Sequence, residues 1–278
     1  MKAKTKAFNI VLPQELVDKV DSVAKKEYLN RSELIREALK SYLNEASEGR
    51  KIHGHAAVAR ESGDFVTALK FTDEAMAAYE KDRDMLGFAE VQGDRFLTLN
   101  HLYQKTGDRA YLVLAKHAAS SAVEIAESSG DKTALALPYF NLAKAQQEFG
   151  EQKEAVESFR KALENLVKNP PAEHMADKRP AMVADFKNRL AVAEYKNGDK
   201  FALIRAEQAA EELEKNPDIS DYNQNVWLSG AHMRIAEMLK KDNPDKAKKH
   251  LAEAKKIIDS DPRLTLRLAQ WQKLAQEI

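Results

Sequence analysis

Residues 6–43 read KAFNIVLPQELVDKVDSVAKKEYLNRSELIREALKSYL, and they predict one short strand followed by two amphipathic helices. Apolar residues alternate with their neighbours at Phe8, Ile10 and Leu12, which is the period of a strand with one buried face. Pro13 then opens a helix at the position where its missing N–H costs nothing. The apolar stripe of this first helix has spacings of four and three residues: Leu16, Val20 and Val23.

A break at residues 28–30 separates the first helix from a second one. Ser32 is placed to cap the second helix, and Glu33 lies in its first turn, where the helix dipole favours an acid. A lone strand cannot satisfy its own backbone hydrogen bonds, and so short a segment buries too little surface to fold alone. Two copies would solve both problems by pairing their strands antiparallel and interlocking their helices.

This pattern resembles the ribbon-helix-helix family of Arc/MetJ-type DNA-binding proteins. The shared features are the alternating strand that ends in Leu12-Pro13, the helix after it, the turn at residues 30–33 and the helix LIREALKSYL. The resemblance implies a homodimeric DNA-binding domain over residues 1–46. Its dimer core would contain Phe8, Ile10, Leu12, Leu34, Ile35 and Leu39.

The same resemblance implies how DNA is contacted. In the family, the outward residues of the strand enter the major groove and read base edges, and here those positions hold Ala7, Asn9 and Val11. Only Asn9 can form a bidentate contact with adenine. The start of the second helix is typical of an anion site that grips phosphate. The residues expected at the DNA backbone are Lys4, Lys6, Asn30, Arg31 and Ser32.

The remainder of the chain carries a long internal repeat. From about residue 52, turn signals recur at intervals of 43 to 48 residues. They are Gly63-Asp64, Gly107-Asp108, Gly150-Glu151, Gly198-Asp199 and Asn243-Pro244. A fixed period with a break in mid-unit is typical of a helical solenoid. We therefore predict a mainly α protein, in which a hinge at residues 47–51 leads to a solenoid over residues 52–278, with about five helix pairs and a C-terminal capping helix. The alternative for the polar stretch around residues 44–51 is a helix that runs straight into the solenoid.

The third unit, ALPYFNLAKAQQEFGEQKEAVESFRKALENL, resembles a tetratricopeptide repeat. Small or apolar residues occupy the packing positions of both helices: Leu142, Ala143, Ala155, Phe159 and Ala162. Tetratricopeptide arrays bind extended peptides on their concave face, and the resemblance places Asn141, Lys144 and Gln147 on or beside that face. Asn141 would hydrogen-bond the peptide backbone. The alternative interpretation is that Asn141 supports inter-helix packing or faces water.

Composition and motifs limit the function classes. The 278 residues carry no net charge at neutral pH and no cysteine, so disulfides and thiolate metal sites are excluded. There is no Gly-rich phosphate loop, nucleophile elbow or HExxH motif, and His53 and His55 form only a weak metal pair. We therefore expect no enzyme activity, no cofactor and no metal. Because no signal peptide or membrane-spanning apolar run is seen, we also expect a cytoplasmic location without membrane association.

Together these features predict a homodimeric DNA-binding transcriptional regulator. It would recognise palindromic half-sites in double-stranded DNA, while its solenoid senses a peptide or protein. The alternative hypothesis is a dimeric protein-interaction scaffold, in which the N-terminal motif only dimerises the chain. Ala7 and Val11 on the reading face and the zero net charge favour this alternative.

Overall fold

A computed structural model describes residues 11–26, 31, 32, 34, 35, 47–170, 180–218 and 220–278. Contacts divide the chain into two compact units, Met1–Ser47 and Glu48–Ile278. Regular secondary structure in the described residues is entirely helical. The predicted strand falls mostly outside them, and its last two residues, Val11 and Leu12, lie just before the first helix.

The first unit contains helix α1, Gln14–Lys26. It starts directly after Pro13, whose carbonyl accepts hydrogen bonds from the amides of Leu16 and Val17 at 3.0 and 3.1 Å. Two apolar side chains of its stripe stay open to solvent, because Leu16 and Val23 are each 44% exposed. Within a single copy of the chain, this apolar face is therefore only partly covered.

The second unit is built from eleven further α-helices in the described residues. They are α2 (Glu48–Glu61), α3 (Phe65–Asp82), α4 (Met85–Thr106), α5 (Arg109–Ser129), α6 (Ala136–Phe149), α7 (Gln152–Lys168), α8 (Pro180–Lys196), α9 (Ala202–Lys215), α10 (Asp221–Leu239), α11 (Pro244–Ser260) and α12 (Thr265–Ala275). A short 3-10 helix, Lys132–Ala134, precedes α6. Residues 171–179, between α7 and α8, lie outside the described residues, and α8 begins at Pro180.

Consecutive helices pack as five pairs, from α2 with α3 to α10 with α11, and α12 follows as a single helix. The turns inside the pairs fall at the five positions where turn signals occur in the sequence. Gly107 and Gly150 end their helices with φ of 72° and 95°, a left-handed conformation that glycine adopts without steric cost. The next helix starts at once, because Asp108 caps α5 by accepting a hydrogen bond from the amide of Ala110 at 2.9 Å.

The predicted hinge at residues 47–51 differs from the structure, because residues 48–51 form the first turn of α2. Gly49 is buried there, and a Cβ atom at this position would lie 2.8 Å from the ring of Tyr79 in α3. Gly87 of α4 approaches the same ring from another side. The glycine at residue 49 therefore allows close packing around Tyr79, and flexibility is not the reason for it.

Small residues line the contacts between helices throughout the solenoid. Alanines with no solvent exposure occur in every pair, including Ala68, Ala115, Ala143, Ala206 and Ala247. They let helix backbones approach closely, while larger buried side chains fill the space between pairs. Phe140 of α6 stacks on Phe186 of α8 with ring centroids 3.8 Å apart, so this contact joins the third pair to the fourth. Burial of one such side chain contributes about 1.5–3 kcal/mol.

Candidate ligand-binding face of the solenoid

The first helices of the five pairs, together with the single helix α12, form a common surface, which we call the inner face. It is lined by α2, α4, α6, α8, α10 and α12. Helix α4 contacts both α2 and α6, and α10 contacts both α8 and α12. Because each first helix packs on the next, side chains that are far apart in sequence meet on this face.

Two hydrogen bonds cross the inner face, from its first two helices to its last two. The hydroxyl of Tyr222 in α10 donates to Glu61 Oε2 at the end of α2, with an O–O distance of 2.5 Å. Gln270 Nε2 in α12 donates to Gln104 Oε1 in α4 at 3.0 Å. The first two pairs therefore approach the last helices, which makes the inner face a narrow, strongly curved surface.

In the first part of the inner face, α2 and α4, buried charges are matched. Arg60 donates to Asp94 Oδ1 at 2.6 Å, and His53 Nε2 lies 3.0 Å from Asp94 Oδ2. Burial alone would raise the pKa of Asp94, but the hydrogen bond with His53 and the charge of Arg60 outweigh it and lower that pKa. His101 stacks on Phe65 at 5.8 Å, and burial lowers its pKa to about 4, helped by the charge of Arg60.

The later part of the inner face, α6 to α12, is dominated by cations. The carboxylate of Asp185 accepts from Arg234 at 2.7 Å and from Arg189 at 3.4 Å. Asn188 fixes this group, because its Oδ1 accepts from Arg234 Nε at 2.8 Å while its Nδ2 donates to the carbonyl of Ala206. Burial lowers the pKa of Arg234 to about 9, and the charge of Arg189 adds to that effect.

Two further cations of this later part have no carboxylate within 4 Å among the described residues: Lys144 and Arg267. Lys144 Nζ lies over the rings of Phe96 and Phe140, 5.3 and 5.7 Å from their centroids. Burial, followed by the charge of Arg189, lowers the pKa of Lys144 well below its ordinary value. Arg267 binds neutral acceptors, the carbonyl of Val226 and the amide of Gln270, and its Nε is buried without a partner.

The three predicted groove residues, Asn141, Lys144 and Gln147, all lie on α6. Asn141 faces α4, where a Cβ atom on Gly93 would lie 3.1 Å from its Nδ2, and its side chain has no hydrogen-bond partner in the described residues. Lys144 borders the arginines of α8 and α12. The side-chain amide nitrogen of Gln147, Nε2, is buried and has no hydrogen-bond partner among the described residues. That these three residues bind a peptide stays a prediction.

The described residues include only some of the predicted DNA-contacting and dimer-core residues. Val11 is 99% exposed, Arg31 and Ser32 are exposed, and Leu12, Leu34 and Ile35 are partly buried. The others lie outside the described residues: Lys4, Lys6, Ala7, Phe8, Ile10, Asn9, Asn30 and Leu39. Arg31 donates to both carboxylate oxygens of Asp21 in α1, at 2.6 and 2.5 Å, and this pairing lowers the pKa of Asp21.

The arginine cluster was not found by reading the sequence. Its members, Arg60, Arg189, Arg234 and Arg267, are spread over more than 200 residues and belong to no local motif. Helices α2, α8 and α12 carry other basic residues as well, so in the sequence each of these arginines looks like an ordinary solvated charge. Only the packing of successive first helices brings these residues together.

Other features of the described residues offer less chemistry. His53 pairs with Asp94, and no group of three or more His, Asp or Glu side chains there could hold a metal ion. Two small clefts of about 230 and 250 Å³ open around α7, α8 and α9. Three cations that line these clefts already have carboxylate partners: Arg160 pairs with Glu194 at 2.8 Å, Lys187 with Glu212 at 2.7 Å and Arg205 with Glu194 at 2.8 Å. None of the described helices is long and apolar enough to cross a membrane.

Comparison with known proteins identifies both units. Residues 6–46 match the model of the ribbon-helix-helix protein, copG family. A crystal structure of kinesin light chain TPR-like repeats from Podosopora anserina is 19% identical, with a TM-score of 0.51, and covers 78% of this chain and 98% of its own. BtubC (BKLC) from P. vanneervenii is 20% identical, with a TM-score of 0.55, and covers 89% of this chain and 92% of its own. No curated protein matches this chain.

At these identities the solved structures show the fold alone, and that fold agrees with the mainly α, tetratricopeptide-like solenoid predicted from the repeat. The family match covers the same N-terminal segment that the strand and helix pattern singled out. The chain therefore combines a segment, residues 6–46, that matches the ribbon-helix-helix copG model with a tetratricopeptide-like helical solenoid.

Proposed function

We propose that this protein is a homodimeric DNA-binding transcriptional regulator whose solenoid binds a peptide or protein on its inner face. The observation that carries the proposal is the match of residues 6–46 to the copG ribbon-helix-helix family, on a chain that continues into a tetratricopeptide-like solenoid. Leu16 and Val23 on α1 are nearly half exposed in a single copy, which supports dimerisation through this segment. The two-fold symmetry of such a dimer would require palindromic half-sites in duplex DNA.

In this proposal Arg31 contacts the DNA backbone, and its pairing with Asp21 makes that role testable. The guanidinium would have to share or leave the carboxylate of Asp21 in order to bind phosphate. The two exposed side chains lie 2.5 Å apart at their closest atoms, and surface pairs of this kind are screened by water and contribute little. A DNA phosphate is therefore a competitive partner for Arg31.

Regulation would follow if a ligand on the inner face shifts the population between two arrangements of the dimer. A ligand can do this only by binding one arrangement more tightly than the other. The hydrogen bonds Tyr222–Glu61 and Gln270–Gln104 supply an element that a ligand could change, because they connect the two ends of the inner face. This mechanism is part of the proposal.

The deciding experiment is a selection of the full-length protein against random duplex DNA at about 0.15 M salt, near physiological ionic strength. Enrichment of a palindrome supports the regulator. On the enriched DNA, Asn9→Ala should relax sequence choice, and Arg31→Ala should weaken binding to all sequences and flatten the salt dependence. Asp21→Asn is the matched control, since it frees Arg31 and should tighten binding.

The second candidate is a dimeric interaction scaffold whose N-terminal segment does not read DNA. Ala7 and Val11 on the expected reading face and the zero net charge favour it. If the selection returns only weak, sequence-independent and salt-sensitive binding, the scaffold is supported. Light scattering of a chain lacking residues 1–45 then tests the dimer, because a truncated protein that stays dimeric would place dimerisation in the solenoid.

A further inference from the structure

Lys144 lies in surroundings that favour the neutral form of its amine. Its side chain is only partly exposed on the inner face, and its Nζ lies 5.3 and 5.7 Å from the ring centroids of Phe96 and Phe140. These distances are close to the limit of about 6 Å for attraction between a cation and a ring, so the rings stabilise the charge only weakly. Partial removal of an amine from water disfavours its charged form unless an anion compensates it.

Positive charge from three other first helices adds to the effect of burial. Arg189 of α8 has its Cζ 5.5 Å from the centroid of the Phe140 ring, which Lys144 also approaches. Arg60 of α2 and Arg267 of α12 act in the same direction. Burial and these charges hold the pKa of Lys144 well below its ordinary value of 10.5, so the neutral fraction near pH 7 is larger than in an ordinary lysine.

The groups that could balance Lys144 are engaged elsewhere, distant or uncharged. Asp185 opposes the cations, but its carboxylate is only 3% exposed and already accepts hydrogen bonds from two arginines. Glu148 follows one turn after Lys144 on α6, but it is exposed and forms no ion pair with Lys144 in the described residues. His101 of α4 is neutral near pH 7, because burial lowers its pKa to about 4. Lys144 is therefore a partly buried amine beside other cations, with no carboxylate within 4 Å in the described part of the chain.

We propose that Lys144 is a reactive amine that captures a small aldehyde carrying a carboxylate or phosphate, as a reversible imine. A lysine that is desolvated and lies next to other cations is activated as a nucleophile toward carbonyl groups, because its neutral form is the one that attacks. This inference goes beyond the proposed function, since it requires neither DNA nor a peptide. Its success or failure therefore leaves the DNA-binding proposal as it stands.

The capture needs no further reactant. The lone pair of Lys144 Nζ attacks the carbonyl carbon and forms a carbon–nitrogen bond. The carbonyl oxygen then takes up both amine protons and leaves as water, so a C=N bond replaces the C=O bond. Nothing is oxidised or reduced, and attack of water on the imine returns the free lysine and the aldehyde.

The surroundings of Nζ indicate which aldehydes fit. Arg267 keeps a buried Nε without a partner, and Arg189 Nε lies 3.4 Å from Asp185, which is long for a bond between two charged groups. An anionic group on the aldehyde would bind one of these guanidiniums while its carbonyl carbon reaches Lys144. The hydrogen bonds of Tyr222 and Gln270 across the inner face narrow it, which favours a small molecule.

The test is reductive trapping of the full-length protein with glyoxylate, an aldehyde that carries a carboxylate. Cyanoborohydride supplies the hydride that converts the imine to a stable secondary amine, and peptide mass spectrometry measures the modification of each lysine. One unit of lowered pKa raises the neutral fraction about tenfold, while a weaker base is a weaker nucleophile, so near pH 7 we expect Lys144 to react at least about threefold faster than an exposed lysine. Lys153, exposed on α7, is the internal reference. Modification of Lys144 no faster than that of Lys153 would refute the proposal.

Two further aldehydes test the anionic group. Pyridoxal 5′-phosphate, trapped in the same way, carries a phosphate, and the probe with the stronger preference for Lys144 over Lys153 identifies the anion that the site accepts. Propanal is the uncharged control. An equal preference for Lys144 with propanal would show a reactive amine without anion recognition, and would overturn the proposed class of ligand.

A variant then tests whether the neighbouring cations activate the amine. Arg189→Gln removes the adjacent charge and leaves Asp185 its bond with Arg234, so modification of Lys144 near pH 7 should slow several-fold and the midpoint of its pH–rate profile should move toward 10.5. Arg160→Gln is the matched control, because Arg160 lies on α7 with 61% of its side chain exposed, and it should leave the profile unchanged. The wild-type rates do not depend on the folding of either variant. The same profile in Arg189→Gln and wild type would contradict the activation of Lys144 by its neighbours.

Discussion

The two parts of the inner face use the same helical scaffold but balance their charges differently. In α2 and α4, Arg60 and His53 meet the carboxylate of Asp94. In α6 to α12, Asp185 serves two arginines, while Lys144 and Arg267 have no carboxylate within 4 Å in the described part of the chain. Removal of one partner from a matched buried pair is strongly destabilising, whereas an unmatched buried cation itself costs stability unless an anion compensates it. The first part is therefore structural, and the later part is the candidate binding surface.

The largest expected loss of stability comes from removing Asp94, the carboxylate shared by the matched charges of the first part. Asp94→Ala leaves Arg60 and His53 partly buried without their shared carboxylate, and loss of one partner from a buried pair costs about 3–5 kcal/mol. Since Glu61 also accepts from Arg60, we expect the lower end of this range. Urea denaturation measures the change in the free energy of unfolding.

A surface pair supplies the matched control for Asp94→Ala. Asp73 pairs with Arg95 on the same two helix pairs, but 59% of its side chain is exposed. Asp73→Ala should therefore cost at most about 1 kcal/mol. Equal costs for the two variants would mean that the charges of the first part do not stabilise the fold, and the contrast between the two parts would be lost.

The next effect is a pH dependence of the free energy of unfolding. It comes from His101 on α4, in the same part of the inner face as the matched charges. Burial lowers the pKa of His101 from 6.5 to about 4, so between these values the unfolded chain binds a proton that the folded chain does not. Stability must therefore fall as the pH decreases, by about 3 kcal/mol at pH 4 from this group alone.

Replacement of the imidazole by a phenyl ring isolates this contribution. His101→Phe keeps a ring against Phe65 and cannot be protonated, so the variant should lose less stability than wild type between pH 7 and pH 4. Chemical denaturation at both pH values gives the comparison. Parallel pH profiles for the two proteins would show that His101 is not protected from protonation in the fold.

The third effect has the opposite sign and comes from the unmatched part. Lys144→Met should increase the free energy of unfolding by about 1 kcal/mol near neutral pH, because it removes a partly buried cation and keeps the contact with Phe96. The folded pKa of Lys144 lies below the ordinary 10.5, since burial and then Arg189 disfavour its charged form. The unfolded chain therefore holds this proton to higher pH, and wild-type stability should rise toward pH 10.5 relative to the variant.

Denaturation curves of wild type and Lys144→Met at neutral and alkaline pH decide this point. The advantage of the variant should shrink as the pH approaches 10.5. Lys153→Met on the exposed side of α7 controls for the general effect of removing a lysine. A clear loss of stability in Lys144→Met would mean that the cation is already balanced, and the later part would then resemble the first.

Local sequence patterns anticipated the elements of the solenoid better than its chemistry. The turn at Gly107-Asp108 could be predicted because glycine alone takes the left-handed end of α4 cheaply and the aspartate caps α5. The prediction of a hinge was wrong for residues 48–51. A glycine next to a polar run is typical of a flexible segment, but in the structure Gly49 packs against the ring of Tyr79. That contact joins residues 30 positions apart, which no local pattern reveals.

The candidate site shows the same limit more strongly. Asn141 and Lys144 could be predicted because the third repeat resembles a known repeat closely enough to assign its faces. Arg234 and Arg267 could not, since they lie outside that repeat, on α10 and α12, and the cluster depends on how the whole solenoid packs. The hydrogen bond between Tyr222 and Glu61 illustrates this, because it joins the first pair to the fifth.

The smallest effect tests the border between the two parts, where α4 meets α6. Gly93 of α4 is buried, and a Cβ atom there would meet only Asn141 Nδ2, at 3.1 Å. Gly93→Ala should stabilise the fold by up to about 1 kcal/mol through helix propensity, while it displaces the amide of Asn141 by a few tenths of an ångström.

Gly54→Ala is the matched control, since it brings the same gain in α2 with nothing within 4 Å of the new methyl group. If Asn141 holds the peptide backbone, Gly93→Ala should weaken the binding of a peptide selected on the full-length protein from a random library by about threefold, while Gly54→Ala leaves that affinity unchanged. Unchanged affinity in both variants would exclude Asn141 from the ligand contact and confine the binding surface to the cations of α6 to α12.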